Sequence, residues 1–138
     1  MKEIVKVIGA IIENDKSEIL CTLNSKDLSF SGFWDFPGGK IRDGESPEKA
    51  IVREIKTELG CNIQVNSLFH ATVHEYDDYI INLIVAKCSL LEDNLSHKED
   101  AKLLWLPIEY IKSLNWSPVT IPTVNKLILK HRKNLISN

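Results

Sequence analysis

Long apolar runs are missing from this 138-residue chain. No stretch approaches the roughly 18 consecutive apolar residues that mark a membrane-spanning helix, so no membrane partner is expected. The opening MKEIVKVIGAII has a short apolar run with an alternating component. It lacks the long apolar core and small-residue cleavage site of a secretory leader. Cysteine is scarce: Cys21, Cys61 and Cys88 are odd in number and far apart. They form no CxxC or Cys/His zinc pattern. Free thiols in a reducing cytosol are expected, and with them a cytoplasmic location. Basic charge is not in excess either. Lys and Arg number 17 against 19 Asp and Glu, a net charge of −2. Duplex nucleic-acid binders usually show a basic face, so no nucleic-acid partner is expected. A nucleotide substrate stays open, because metal ions can neutralise its phosphates. Internal repeats and low-complexity segments are also absent.

What remains is ordinary globular composition, 43% apolar and 26% charged, in a chain long enough to bury a core as one domain over residues 1–138. Residues 4–12, rich in Ile and Val, read as a buried strand. A turn at 14–17 and a strand at 18–23 would complete a hairpin. A loop at 24–32 leads to a short strand at 33–37. Strands are expected at 62–65 and 68–76, broken at Asn66-Ser67. A turn at Asp77-Asp78 precedes a long strand at 79–90. An acidic loop covers 92–102, with a short strand at 103–106 and a helical turn at 107–114. Apolar spacing predicts a closing helix over 121–134.

Residues 38–61, GGKIRDGESPEKAIVREIKTELGC, carry the densest pattern. Three glycines in seven residues allow tight turns and close backbone approach to a ligand. Ser46 suits an N-cap, Pro47 the first helical position and Gly60 the stop. A helix over 47–59 follows. At about 100° per residue, Ile51, Val52, Ile55 and Leu59 form a core-facing stripe. Glu54 and Glu58 fall one turn apart on its edge. Two carboxylates about 6 Å apart beside a core repel by roughly 3 kcal/mol at an effective dielectric near 20. A hard divalent cation would remove that cost, and Mg²⁺ takes few carboxylates together with substrate phosphates. The alternative is a solvated pair costing a few tenths of a kcal/mol.

The whole string decides between them. Gly39, Glu45, Arg53, Glu54, Ile55, Glu58, Gly60 and Cys61 fit the pattern G-x5-E-x7-R-E-U-x-E-E-x-G-U, with U apolar. Six strict matches arise by chance on the order of 10⁻⁷ per starting position at average residue usage. The chain closely resembles the Nudix hydrolases, in particular their MutT-like branch. The resemblance implies an α/β fold of α+β kind: an α/β/α sandwich with a mixed sheet between the motif helix and a C-terminal helix. It implies a Mg²⁺-dependent pyrophosphohydrolase, with Mn²⁺ as an alternative metal. Glu54 and Glu58 would be metal ligands, joined by the Gly38 carbonyl, with Glu45 supporting from the loop and Arg53 orienting the carboxylates. Thr57 stands where the family pattern has a glutamate, which leaves the number of metals open.

The resemblance also points to Glu99, six residues before Trp105, as a further ligand or general base, with Asp100 as the alternative. Lys40 can reach a phosphate as a point charge. Base recognition needs aromatic faces and a few polar groups; Trp34, Phe36, Tyr76 and Tyr79 are the aromatic candidates. Thr120 matches a position where relatives hold Asn or Asp, and it offers one hydroxyl. His70 and His74 lie in a strand-like segment, where they share a face without forming a metal pair. The cations between 126 and 133 suit a helix C-terminus. The expected partner is a small nucleotide, acted on by a monomer or homodimer. The reaction class is hydrolysis of a nucleoside triphosphate, such as 8-oxo-dGTP or another modified (d)NTP, to monophosphate and pyrophosphate. The alternatives are CTP-type or nucleoside diphosphate-linked substrates, or a nucleotide-sensing module without catalysis.

Overall fold

The computed structural model describes residues 1–23, 32–92 and 102–137. Two sheets organise it. The first is four-stranded and mixed, in the order β4 (Gly38–Lys40), β1 (Glu3–Ile12), β6 (Tyr79–Leu90), β5 (Ile63–Glu75). Its β1 and β6 run parallel, from Glu3 opposite Tyr79 to Ile12 opposite Cys88; the other pairs are antiparallel. The second sheet is three-stranded and antiparallel, in the order β3 (Trp34–Asp35), β2 (Glu18–Leu23), β7 (Lys102–Pro107).

The hairpin expected of β1 and β2 shrinks to one bridge, Glu13 to Ile19. A strand has two edges, and both edges of β1 are taken by β4 and β6. The chain therefore turns at Asn14, whose Oδ1 accepts from the amides of Lys16 and Glu18 at 3.0 and 2.9 Å. β2 then leaves for the second sheet. The break expected at Asn66-Ser67 is a β-bulge within one continuous strand, with a second register shift between Leu68 and His70. An extra residue on one strand kinks it without ending the ladder.

Helix α1 (Pro47–Leu59) lies on one side of the mixed sheet. Its Ala50, Ile51, Ile55 and Leu59 pack with Ile8, Ala10 and Ile12 of β1 and with Ala86 and Cys88 of β6. Helix α2 (Ile121–Ser137) covers the other side. Its Val124, Leu127 and Ile128 meet Ile11, Phe69, Ile81, Leu83 and Val85. Alternation along β1 and β6 feeds both cores, because successive side chains point to opposite faces. A 3₁₀ helix (Ile108–Ser113) joins β7 to the approach of α2. Val52, expected in the apolar stripe of α1, is instead 38% exposed. The buried arc runs through Ala50, Ile51, Ile55 and Leu59, and Val52 falls just past its edge, in an open groove with Glu48, Lys49 and Lys56.

All three cysteines are free and buried. Burial pushes the Cys21 thiol up to about 12 and that of Cys88 to about 11, which keeps both out of the reactive thiolate form. Among the described residues no helix is long and apolar enough to cross a membrane.

Candidate active site

The loop between β4 and α1 turns at Gly44, in the left-handed region at φ 78°. It delivers the chain to Ser46, whose Oγ accepts the Lys49 amide at 3.2 Å. Pro47 opens the helix, and Gly60 closes it at φ 68° with its amide donating to the Lys56 carbonyl. These local signals fix the two ends of the 13-residue helix, and its packing on β1 and β4 determines where its carboxylates fall.

Arg53 is the hub. Its Nε and Nη2 each donate to Glu45 at 2.8 Å, to Oε2 and Oε1 respectively. Its Nη1 donates to Glu54 Oε1 at 2.8 Å, and Nη2 also reaches the Lys40 carbonyl at 3.0 Å. One planar guanidinium thus ties loop, strand and helix together, a fork geometry that lysine cannot supply. The Glu45 carboxyl also accepts the Arg42 amide at 3.0 Å. Arg53 first, and the Arg42 amide second, lower its pKa from 4.5 to about 2. The same bonds push the Arg53 guanidinium upward, so both stay charged across the physiological range.

Glu54 is seated by an absence. A Cβ on Gly39 would lie 2.5 Å from the Glu54 Cδ and 2.6 Å from its Oε2. The bare glycine backbone of β4 therefore forms one wall of the carboxylate's position and Arg53 forms another. Glu58 follows one turn later and is part-buried. Thr57 points away: it is exposed, and its hydroxyl donates to the Arg53 carbonyl at 3.0 Å. Lys40 is exposed, while Gly38 pairs with Gly9 across β1. Gly39, Lys40, Glu45, Arg53 and Glu54 are thus brought together. Glu99 and Asp100 lie outside the described residues. Among the described residues no three acidic, histidine or cysteine side chains come together as a ready-made metal cage.

The aromatic candidates occupy the other side of the sheet. Phe36 is buried and packs on Trp116 with ring centroids 4.9 Å apart. Trp34, Tyr76 and Tyr79 are partly buried against the same core. Tyr76 lies between His74 and Tyr79, at 4.6 and 5.4 Å. Thr120 is buried, and its hydroxyl donates to Asp35 Oδ1 at 2.6 Å. Ser117 donates to Asp35 Oδ2 at 2.7 Å. Loss of solvent raises the Asp35 pKa, against the pull of the two hydroxyls.

Sequence reasoning missed Asp35. The available signal was an acid set between two aromatic residues, Trp34 and Phe36, in a segment expected to be a strand. His70 Nδ1 meets the Thr123 hydroxyl at 3.0 Å, and the His74 ring packs on Tyr76.

The fold and this strand–loop–helix define an α/β/α protein that holds a carboxylate, Glu54, against a bare glycine backbone. Comparison with known proteins agrees. The family profile described as NUDIX domain matches residues 4–127. The 8-oxo-dGTP diphosphatase of Escherichia coli (strain K12) is 33% identical over 92% of this chain and 98% of its own length. The CTP pyrophosphohydrolase of the same strain is 30% identical over 87% of this chain and 88% of its own. Among solved structures, the MutT protein of methicillin-resistant Staphylococcus aureus 252 is 38% identical, with a TM-score of 0.78 over 94% of this chain and 99% of that one. The chain belongs to the Nudix family, as a pyrophosphohydrolase of the MutT-like kind.

Proposed function

We propose that this protein hydrolyses a nucleoside triphosphate to the monophosphate and pyrophosphate with the help of Mg²⁺. The observation that carries the reading is the seat of Glu54, fixed by the glycine wall on one side and Arg53 on the other. Glu54 and Glu58 would hold the cation, with backbone oxygen at Gly38 and substrate phosphates completing its shell. This donor set fits Mg²⁺, which combines one or two carboxylates with phosphates and water. Mn²⁺ would fit the same oxygens. When bound, the cation neutralises phosphate charge and lowers the pKa of a bound water. Glu45 and Arg53 position the carboxylates, and Lys40 meets a phosphate as a point charge. Glu99 is the further acidic candidate for accepting the water's proton. Thr57 supplies no carboxylate, so the site works with one acid fewer than the family pattern.

Trp34 to Lys40 would carry the substrate from base to phosphates. Trp34, Phe36, Tyr76 and Tyr79 form the apolar end, and Thr120 acts through Asp35. A carboxylate acceptor such as Asp35 suits a base with an exocyclic amine, as adenine, cytosine and guanine have, and the relatives narrow these to the last two. That supports 8-oxo-dGTP first, as with the Escherichia coli diphosphatase relative. CTP-type substrates follow, as with the CTP pyrophosphohydrolase.

The test is a (d)NTP panel with oxidised and methylated bases, Mg²⁺ and product identification. Guanine- or cytosine-type nucleotides should lead, with dTTP and UTP last, and pyrophosphate should be released. Glu54→Gln and Glu58→Gln should each lower turnover more than about 100-fold with the fold kept. Near-normal activity in both variants would remove the metal assignment. Tight nucleotide binding without any product would make the protein a sensor.

A further inference from the structure

Charge in this protein is segregated. Strands β5 and β6 and helix α2 together carry Lys87, Lys126, Lys130, Arg132 and Lys133 against a single acid, Glu75, although the chain as a whole is net negative. Glu75 lies six residues along β5 from Phe69, about 20 Å at strand rise, and is already paired with Lys2 at 2.6 Å. Three of the cations converge on one ring. The ammonium groups of Lys126, Lys87 and Lys130 lie 4.7, 5.0 and 5.5 Å from the Phe69 centroid. Phe69 is the extra residue at the second register shift of β5, between Leu68 opposite Ala86 and His70 opposite Val85.

Lys87 and Lys126 are half-buried. Among the described residues none of the three lysines has a carboxylate partner. Lys126 is held in place by the Phe69 carbonyl, at 2.7 Å. His70, alongside, is kept below its ordinary pKa by loss of solvent and then by the Lys126 charge, so it stays neutral and adds no fourth charge. Three ammonium groups within about one Debye length of a common point repel one another. The ring face offsets only part of that cost.

We propose that Lys87, Lys126 and Lys130 form a second anion site, distinct from the carboxylate site on α1, that takes a compact multivalent phosphate such as pyrophosphate or a phosphate headgroup. Convergence on one ring, rather than spacing along a line, matches a compact anion better than a phosphodiester polymer. The site stands on the opposite face of the mixed sheet from Glu54 and Glu58 and does not depend on the hydrolytic reading.

The test uses the intact protein in EDTA at constant ionic strength. Sodium pyrophosphate is the probe and sodium chloride the control. Acetylation read by mass spectrometry should show Lys87, Lys126 and Lys130 protected several-fold by pyrophosphate, with Lys16 and Lys56 unprotected. Lys87→Gln with Lys130→Gln should weaken pyrophosphate binding about tenfold or more in calorimetry. Lys130→Gln alone, at an exposed position, should weaken it in the same direction with folding intact. Glu54→Gln should leave it unchanged. In a parallel arm, protection by phosphatidylglycerol vesicles but not by free pyrophosphate or phosphatidylcholine would assign the phosphate to a lipid headgroup. Equal protection of scattered lysines, binding unaffected by Lys130→Gln, or no protection by either probe would overturn the site and leave the lysines as cover for Phe69.

Discussion

An alanine at position 38 would drive its Cβ into the Ile8 carbonyl oxygen and against the Gly9 Cα. Both obstacles are backbone in the neighbouring strand, so the β1–β4 pairing itself has to move. At position 39 the obstacle is the end of a side chain, the Glu54 carboxylate, which can swing aside. The two glycines therefore predict different outcomes. Gly38→Ala should cost at least about 2 kcal/mol in urea unfolding. Gly39→Ala should change stability by less than about 1 kcal/mol yet lower turnover about 100-fold, because displacing a catalytic group by an ångström has that effect. Equal losses of stability in the two variants would show that Glu54 has no freedom to yield. In the sequence the glycine pair is visible as a turn-prone stretch. Which of the two faces the carboxylate is not visible, because that depends on the register of β4 against β1 and α1.

Helix α1 was legible to its ends because each end is a local event. Ser46, Pro47 and Gly60 act through atoms within four residues. Ser46→Ala should therefore cost about 1 kcal/mol, measured by denaturant midpoint, and should lower the metal affinity of the site only slightly. A large loss of metal affinity would mean that the cap aims Glu54 as well as holding the first turn. Strand pairing was less legible. The expected hairpin failed because both edges of β1 are claimed by partners far along the chain. The expected break in β5 became a bulge because the long neighbour β6 carries the ladder past it. Val52 shows the same limit on a helix. The wheel gives its angle, but where the buried arc ends depends on the width of the sheet beneath.

Across the whole molecule, two carboxyls on opposite sides of the mixed sheet pull the pH dependence of stability in opposite directions. Glu45 is lowered from 4.5 to about 2 by Arg53 and the Arg42 amide. The folded state then favours its ionised form, so its contribution is present above 4.5 and is lost as pH falls towards 2. Asp35 is raised above 3.8 by loss of solvent. The folded state favours its protonated form, so its contribution is full below 3.8 and is lost as pH rises through the raised value. The pairing of Arg53 with the carboxylates was expected from the family pattern, whereas the contacts of Asp35 could not be read from the sequence. Arg53 is eight positions from Glu45, and Ser117 and Thr120 are 82 and 85 positions from Asp35. Urea midpoints measured from pH 2.5 to 8 separate the two. Glu45→Gln should lower stability at neutral pH and flatten the acid limb between 4.5 and 2. Asp35→Asn should be as stable as the parent below 3.8 and more stable at neutral pH, where the parent holds a desolvated charge. Should Asp35→Asn instead be less stable at neutral pH, the Ser117 and Thr120 hydroxyls would outweigh the burial of the carboxylate. In that case the raised pKa would be excluded, and Asp35 would act as a permanently charged acceptor at the aromatic end.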